Sequence, residues 1–88
     1  MSQAFISAHL QKIITKLAKK DRAIHGQLLN KIDEILHAET LDHYKNLRHD
    51  LKDTKRVHIG SFVLVFHYDE KTQTLYFDDF GHHDDIYR

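Results

Sequence analysis

The sequence predicts an α+β fold: a helical hairpin packed on one face of a small antiparallel sheet, in one domain covering residues 1–88. Three observations predict it. Apolar residues recur at helical spacing from Leu10 to Leu36, then give way to strand alternation from Val57 onward. The order helix, helix, strand, strand, strand is that of helices gathered on one face of an antiparallel sheet. Finally, 88 residues suffice for one hydrophobic core but not for two independent ones.

Taken in order, Ala4-Phe5-Ile6 is a short apolar run that can supply an N-terminal edge strand leading into the first helix. Leu10, Ile13, Ile14 and Leu17 lie at helical spacing behind Ser7, a good N-cap, and predict a helix from about Ser7 to Lys20. Asp21 can cap a second helix, whose stripe of Ile24, Leu28, Ile32 and Ile35 is widened by Leu29 and Leu36. Periodicity fades from Glu39 to Asp53, which reads as a loop or a short helical turn. Val57 and Ile59 then alternate with Arg56 and His58, so one strand face is apolar and the other offers a cation and an imidazole. Gly60-Ser61 reverses the chain into Phe62 to Phe66, apolar on both faces as a covered central strand should be. A turn at Asp69 to Thr72 leads to a last strand, Thr74 to Phe77, with Asp78 and Asp79 closing it.

Composition narrows the function classes. Without cysteine there is no disulfide frame, thiol nucleophile or zinc-thiolate site, and the chain suits a reducing cytoplasm. No apolar run approaches the ~20 residues of a membrane span, and Met1-Ser2-Gln3-Ala4-Phe5 lacks the pattern of a signal peptide. A soluble, cytoplasmic protein with no membrane partner is expected. Lys plus Arg (13) equals Asp plus Glu (13), so net charge forecasts no general attraction to nucleic acid. The charge is uneven, however: residues 1–58 hold 11 basic and 7 acidic side chains, and residues 59–88 hold 2 and 6. Nine histidines add latent positive charge that a nearby phosphate would favour.

Chemistry concentrates in the last third. Arg56 and His58 share a strand face, and His83 and Tyr87 follow the last strand, the residue types that acid–base chemistry on a phosphate ester requires. The run Leu47-Arg48-His49-Asp50-Leu51-Lys52-Asp53, then Arg56-Val57-His58-Ile59-Gly60, an apolar strand, and Gly81-His82-His83-Asp84-Asp85-Ile86-Tyr87-Arg88, is similar to the RelE superfamily of toxin–antitoxin mRNA interferases. Its RelE, YoeB and YafQ branches share this frame, and the resemblance covers residues 44–88. It implies a RelE-like fold and a small toxin that cuts messenger RNA in the ribosomal decoding site and is silenced by a cognate antitoxin. The implied partners are that antitoxin and the ribosome with its mRNA and ribosomal RNA. No metal or other cofactor is implied.

Position by position, the resemblance gives His58 the place of a catalytic histidine in the YafQ branch. His83 falls where RelE-type toxins carry a catalytic arginine and YafQ or YoeB types a histidine. Tyr87 matches a near-terminal aromatic that stacks on a base or assists proton transfer, and Arg56 occupies a basic position on the face of His58. Lys45, Arg48, His49, Lys52 and Lys55 belong to the segment implied to contact RNA. Two positions depart from the pattern: Val63 stands where many catalytic members have an arginine, and Ser61 where the YafQ branch has an aspartate. Charge stabilisation then falls to Arg56, Lys52 or His83.

Other readings compete for the same residues. ParE-type relatives share the fold and bind gyrase without nuclease residues, which agrees with Val63. A ribosome-independent ribonuclease and a catalytically weak antitoxin-binding module are further alternatives. His82-His83-Asp84-Asp85 has metal-ligand chemistry, but adjacent side chains seldom converge on one ion. Lys12, Lys16, Lys19 and Lys20 form a basic helix face that solvent alone accounts for, or that could meet ribosomal RNA. Tyr44, Phe62, Phe66, Tyr68, Tyr76, Phe77 and Phe80 read as core or sheet-face residues.

Overall fold

In the computed structural model, residues 3–47 and 54–87 are described. The elements are β1 (Gln3–Ile6), α1 (Ala8–Lys20), α2 (Arg22–Leu36), β2 (Lys45–Asn46), β3 (Thr54–Ile59), β4 (Phe62–Asp69), β5 (Thr74–His82) and α3 (His83–Ile86). The expected helical hairpin is present with both expected caps. The Ser7 side chain accepts from the backbone N–H of Leu10 at 3.0 Å, and Asp21 Oδ1 accepts from that of Ile24 at 3.1 Å. Asp21 also donates its own N–H to the Leu17 carbonyl, so one residue closes α1 and opens α2.

The five strands are ordered β1-β5-β4-β3-β2. The expected antiparallel sheet (β3, β4, β5) is extended at one edge by β1, which runs parallel to β5, and at the other by β2, so the sheet is mixed. A parallel neighbour needs a long crossover from β1, and the helical hairpin is part of that connection. Strand β2 is only two residues long and has no sequence signal of its own; its pairing of Lys45 with Arg56 and Asn46 with Lys55 brings it into the sheet.

Helix residues Leu10, Leu28, Ile32 and Ile35 pack on Ile59, Leu64, Phe66, Leu75, Phe77 and Phe80 from one sheet face. Leu29, expected to widen the α2 stripe, is instead 41% exposed. It follows Leu28 by one residue, about 100° round the helix and off the buried stripe.

Strand β5 runs five residues beyond the expected end at Phe77. A bulge allows this: Val65 pairs with Asp79 and Phe66 with Phe77, so Asp78 is the extra residue. Phe77 and Phe80 therefore both enter the core, where strict alternation would have sent them to opposite faces. Ser7 fastens the bulge by donating its N–H to the Phe77 carbonyl at 2.9 Å and its hydroxyl to the Asp78 carbonyl at 2.8 Å. Among the described residues, no helix is long and apolar enough to cross a membrane.

Between the hairpin and the sheet, the buried Tyr44 stands edge-on to Phe66 and donates its hydroxyl to Glu34 Oε2 at 2.7 Å. Burial first, then the Glu34 bond, pushes the phenol up from 10.0 to about 12. The same bond, followed by that from Lys31, holds the Glu34 carboxyl below its ordinary value. Folded protein keeps the phenolic proton where the unfolded chain releases it, so this contribution is complete below pH 10 and declines as pH rises toward 12. Tyr44→Phe is expected to cost about 1 kcal/mol at neutral pH. In urea melts across pH, the deficit relative to wild type should shrink above pH 10; a pH-independent deficit would contradict the assignment.

Candidate functional site

The sheet face turned away from the helices carries the reactive side chains. Alternation along β3 sends Val57 and Ile59 to the core and leaves Arg56 and His58 on the other side. Register then fixes their neighbours: His58 faces Val63 across β4, and Val63 faces Gly81 on β5, while Lys45 of β2 pairs with Arg56. A two-residue turn makes this tight. Gly60 has φ +60 at the first central position, between the paired Ile59 and Phe62, the requirement of a type II′ hairpin.

After β5 the chain turns back over that face as α3. The His83 N–H donates to the Ser61 carbonyl at 2.9 Å, which fastens the start of α3 to the β3–β4 turn. His82 Nδ1 accepts from the Asp84 N–H at 3.2 Å and caps the turn. A Cβ built on Gly81 would lie 3.5 Å from Ile86 Cδ1, ordinary van der Waals contact, so Ile86 seats over the strand at this position. Val63, fully buried, forms the floor. No local pattern announces this helix, because four residues without an apolar period resemble a tail.

Four of the residues singled out from sequence meet here. The His58 and His83 rings stack at 5.7 Å between centroids with 24° between planes, and Tyr87 lies 4.6 Å from His83. The Arg56 guanidinium carbon is 6.0 Å from the centre of the Tyr87 ring, at the outer range of cation–π attraction. Arg56 Nε and the Tyr87 hydroxyl are buried with no hydrogen-bond partner among the described residues. Two such atoms in one cluster are costly in a protein interior unless something else satisfies them.

The other expected residues divide. Lys45 sits beside Arg56 on the cluster's face. Lys55 alternates to the opposite face, pairs with Phe66 and donates to Asn46 Oδ1 at 2.9 Å, away from the cluster. Arg48, His49 and Lys52 lie outside the described residues. Ser61 takes part through its carbonyl, as the anchor of α3, a role that side-chain chemistry could not reveal. Beside His58, a cleft of about 360 Å³ opens between α2 and the end of β3, lined also by Gln27, Asn30, Lys31, Glu34, Ile59 and Gly60. No group of three or more metal-ligating side chains gathers among the described residues.

The His58 imidazole is held below its ordinary value of 6.5, by desolvation first, then by Arg56, His83 and Lys45. It remains exposed overall, so its neutral form is favoured while its ring stays reachable. A neutral imidazole beside a guanidinium can accept a proton while the cation attracts an anion. The second imidazole, 5.7 Å away, is roughly two hydrogen-bond lengths distant, a spacing at which two rings reach two oxygens of one phosphorus.

Two known proteins resemble this chain along nearly its whole length. One, from Methanocaldococcus jannaschii, bears the name "Putative toxin RelE4" and is 49% identical over 100% of this chain and 93% of its own. The other, an uncharacterised protein from Methanosarcina mazei, is 43% identical over 93% of this chain and 94% of its own. No family model matches the chain, and no solved structure matches it.

The electrostatics give a direct check. In an NMR titration the His58 ring should titrate below 6.5 in wild type and move upward in Arg56→Gln, which removes the strongest of the charges acting on it. An unmoved midpoint would show that the guanidinium does not act on this imidazole.

Proposed function

The chain belongs to the RelE superfamily of toxins, and on that premise we propose that residues 1–88 form a metal-independent endoribonuclease that cuts messenger RNA on the ribosome and is restrained by a cognate antitoxin. The observation that carries the reading is the cluster itself: two stacked imidazoles beside a guanidinium and a phenol whose buried polar atoms have no partner among the described residues. A phosphodiester suits this cluster: its anionic oxygens accept from the partly exposed Arg56 guanidinium, and charge-assisted bonds of this kind are the strong ones.

In the proposed reaction His58, kept neutral by its surroundings, takes the proton of an RNA 2′-hydroxyl. The freed oxygen attacks the adjacent phosphorus, the O2′–P bond forms, and the P–O5′ bond breaks as His83 gives a proton to the leaving oxygen. The products are a 2′,3′-cyclic phosphate and a 5′-hydroxyl. Arg56, with Lys45 beside it, stabilises the added charge of the phosphorane. Tyr87 binds a phosphate oxygen or stacks on a flanking base, and the cleft beside His58 offers room for that base. Arg56 thereby takes the task that many relatives give to an arginine at the position of Val63.

A non-nuclease, gyrase-binding toxin is the second reading, favoured by one observation: Val63 is fully buried under α3 and offers no cation to a phosphate. Primer extension on a translated message with purified ribosomes separates the two. Wild type should give ribosome-dependent cuts. His58→Ala and His83→Ala should each slow cutting by roughly 10²- to 10⁴-fold, and the double variant should be little worse than either. Cutting should fall as pH drops through the lowered His58 value. Single variants that cut within threefold of wild type would refute the histidine assignment; no cuts from folded wild type, with gyrase inhibited instead, would favour the second reading.

A further inference from the structure

A second constellation shares the sheet face of the cluster. Phe5 of β1, Tyr76 of β5 and His67 of β4 are register partners in one row across three strands. Their rings form a ladder: Phe5 and Tyr76 stack at 5.8 Å with 21° between planes, and Tyr76 and His67 at 4.7 Å with 9°. None of the three belongs to the core, and Phe5 is 54% exposed on an edge strand. Beyond its contact with Tyr76, the Phe5 ring is open to solvent at the edge of the sheet.

The inner end of the ladder is held in place. His67 Nδ1 donates to Asp78 Oδ2 at 2.6 Å, and Asp78 is the bulge residue whose carbonyl is fixed by the Ser7 hydroxyl. The bulge thus aims a carboxylate at the imidazole and locks the plane of the ring. On its far side His67 is paired with Thr54, whose short side chain cannot cover a ring face. Two residues further along β3, about 6.6 Å away, is Arg56, with Lys45 beside it. A flat, preoriented ring therefore borders the cations of the cluster.

We propose that the Phe5–Tyr76–His67 ladder is a base-stacking platform for the single-stranded RNA next to the scissile phosphate, with Arg56 and Lys45 holding the phosphate between platform and cluster. The inference rests on the nuclease reading and adds to it the path of the RNA across the sheet. Stacking is tolerant of sequence because every base has a π face, so the platform positions the strand and leaves base choice to the cleft beside His58. It also tolerates the acidic character of this part of the chain, since Asp78 is engaged by His67.

The test titrates a single-stranded RNA oligonucleotide containing 2-aminopurine, whose fluorescence is quenched on stacking, with the full chain. Wild type should quench the fluorescence on binding. Phe5→Ala, which removes one end face of the ladder, and Tyr76→Ala, which removes the middle ring that both ends lean on, should each bind roughly five- to a hundredfold more weakly, the scale of one base–aromatic stack, and Tyr76→Phe should restore binding. Phe5→Ala keeps the test sound if Tyr76→Ala misfolds, because Phe5 is exposed. Equal affinity and quenching in all folded variants, or no quenching by wild type, would overturn the platform. So would ladder variants that lose antitoxin affinity while binding RNA normally. The nuclease reading fails separately, by absence of ribosome-dependent cuts from wild type that still quenches.

Discussion

The backbone hydrogen bond from His83 to the Ser61 carbonyl is the constraint on which the site depends. A single helical turn has no stability of its own, since nucleation costs more than one turn returns. α3 persists because this bond fastens its start, Ile86 seats over Gly81, and Val63 offers an apolar floor. The same contacts bring His83 onto His58 and Tyr87 beside Arg56. Val63 then has a role that an arginine could not fill, because a cation buried beneath the turn would lose its water without a partner. Moving the cation to Arg56 leaves the floor apolar and the charge at the rim.

The balance of acids and bases is also resolved locally. Three of the four acids of β5 and α3 are met by imidazoles: Asp78 by His67 at 2.6 Å, Asp79 by His9 at 3.0 Å, and Asp84 by His82 and His83 at 3.7 and 3.6 Å. Asp79 Oδ1 also accepts from the Phe80 N–H at 2.8 Å. These exposed pairs contribute little to stability. The acids lie along β5 and α3, while Arg56 and Lys45 stand side by side on the site's face. Zero net charge is therefore compatible with an anion site, because a ligand meets the arrangement and not the sum.

Much of this could be read from the sequence, for reasons tied to particular residues. Ser7 and Asp21 announced both helices because a cap is local chemistry, and Val57 to Phe66 announced two strands because alternation and an apolar run are local patterns. The grouping of Arg56 with His58 followed from strand period alone, and a family resemblance added His83 and Tyr87. What escaped depends on partners distant in sequence. The extension of β5 rests on a bulge at Asp78, which only pairing with Val65 and Phe66 defines. β2 owes its existence to β3, α3 to a carbonyl in a remote turn, and the Phe5–Tyr76–His67 ladder to the register of three strands. Leu29 was misassigned because a helical stripe has a limited width that composition does not reveal.

In the proposed reaction two imidazoles pass a proton to and from one phosphate so that the RNA's own 2′-hydroxyl cuts the chain. The ends of the cut RNA report this directly. Mapping them after cleavage on purified ribosomes should find a 2′,3′-cyclic phosphate, or the 3′-phosphate from its opening, upstream and a 5′-hydroxyl downstream. A 3′-hydroxyl with a 5′-phosphate, or undiminished cutting of a message carrying 2′-deoxynucleotides at the cut position, would mean that water attacks instead and that the proposed chemistry is wrong.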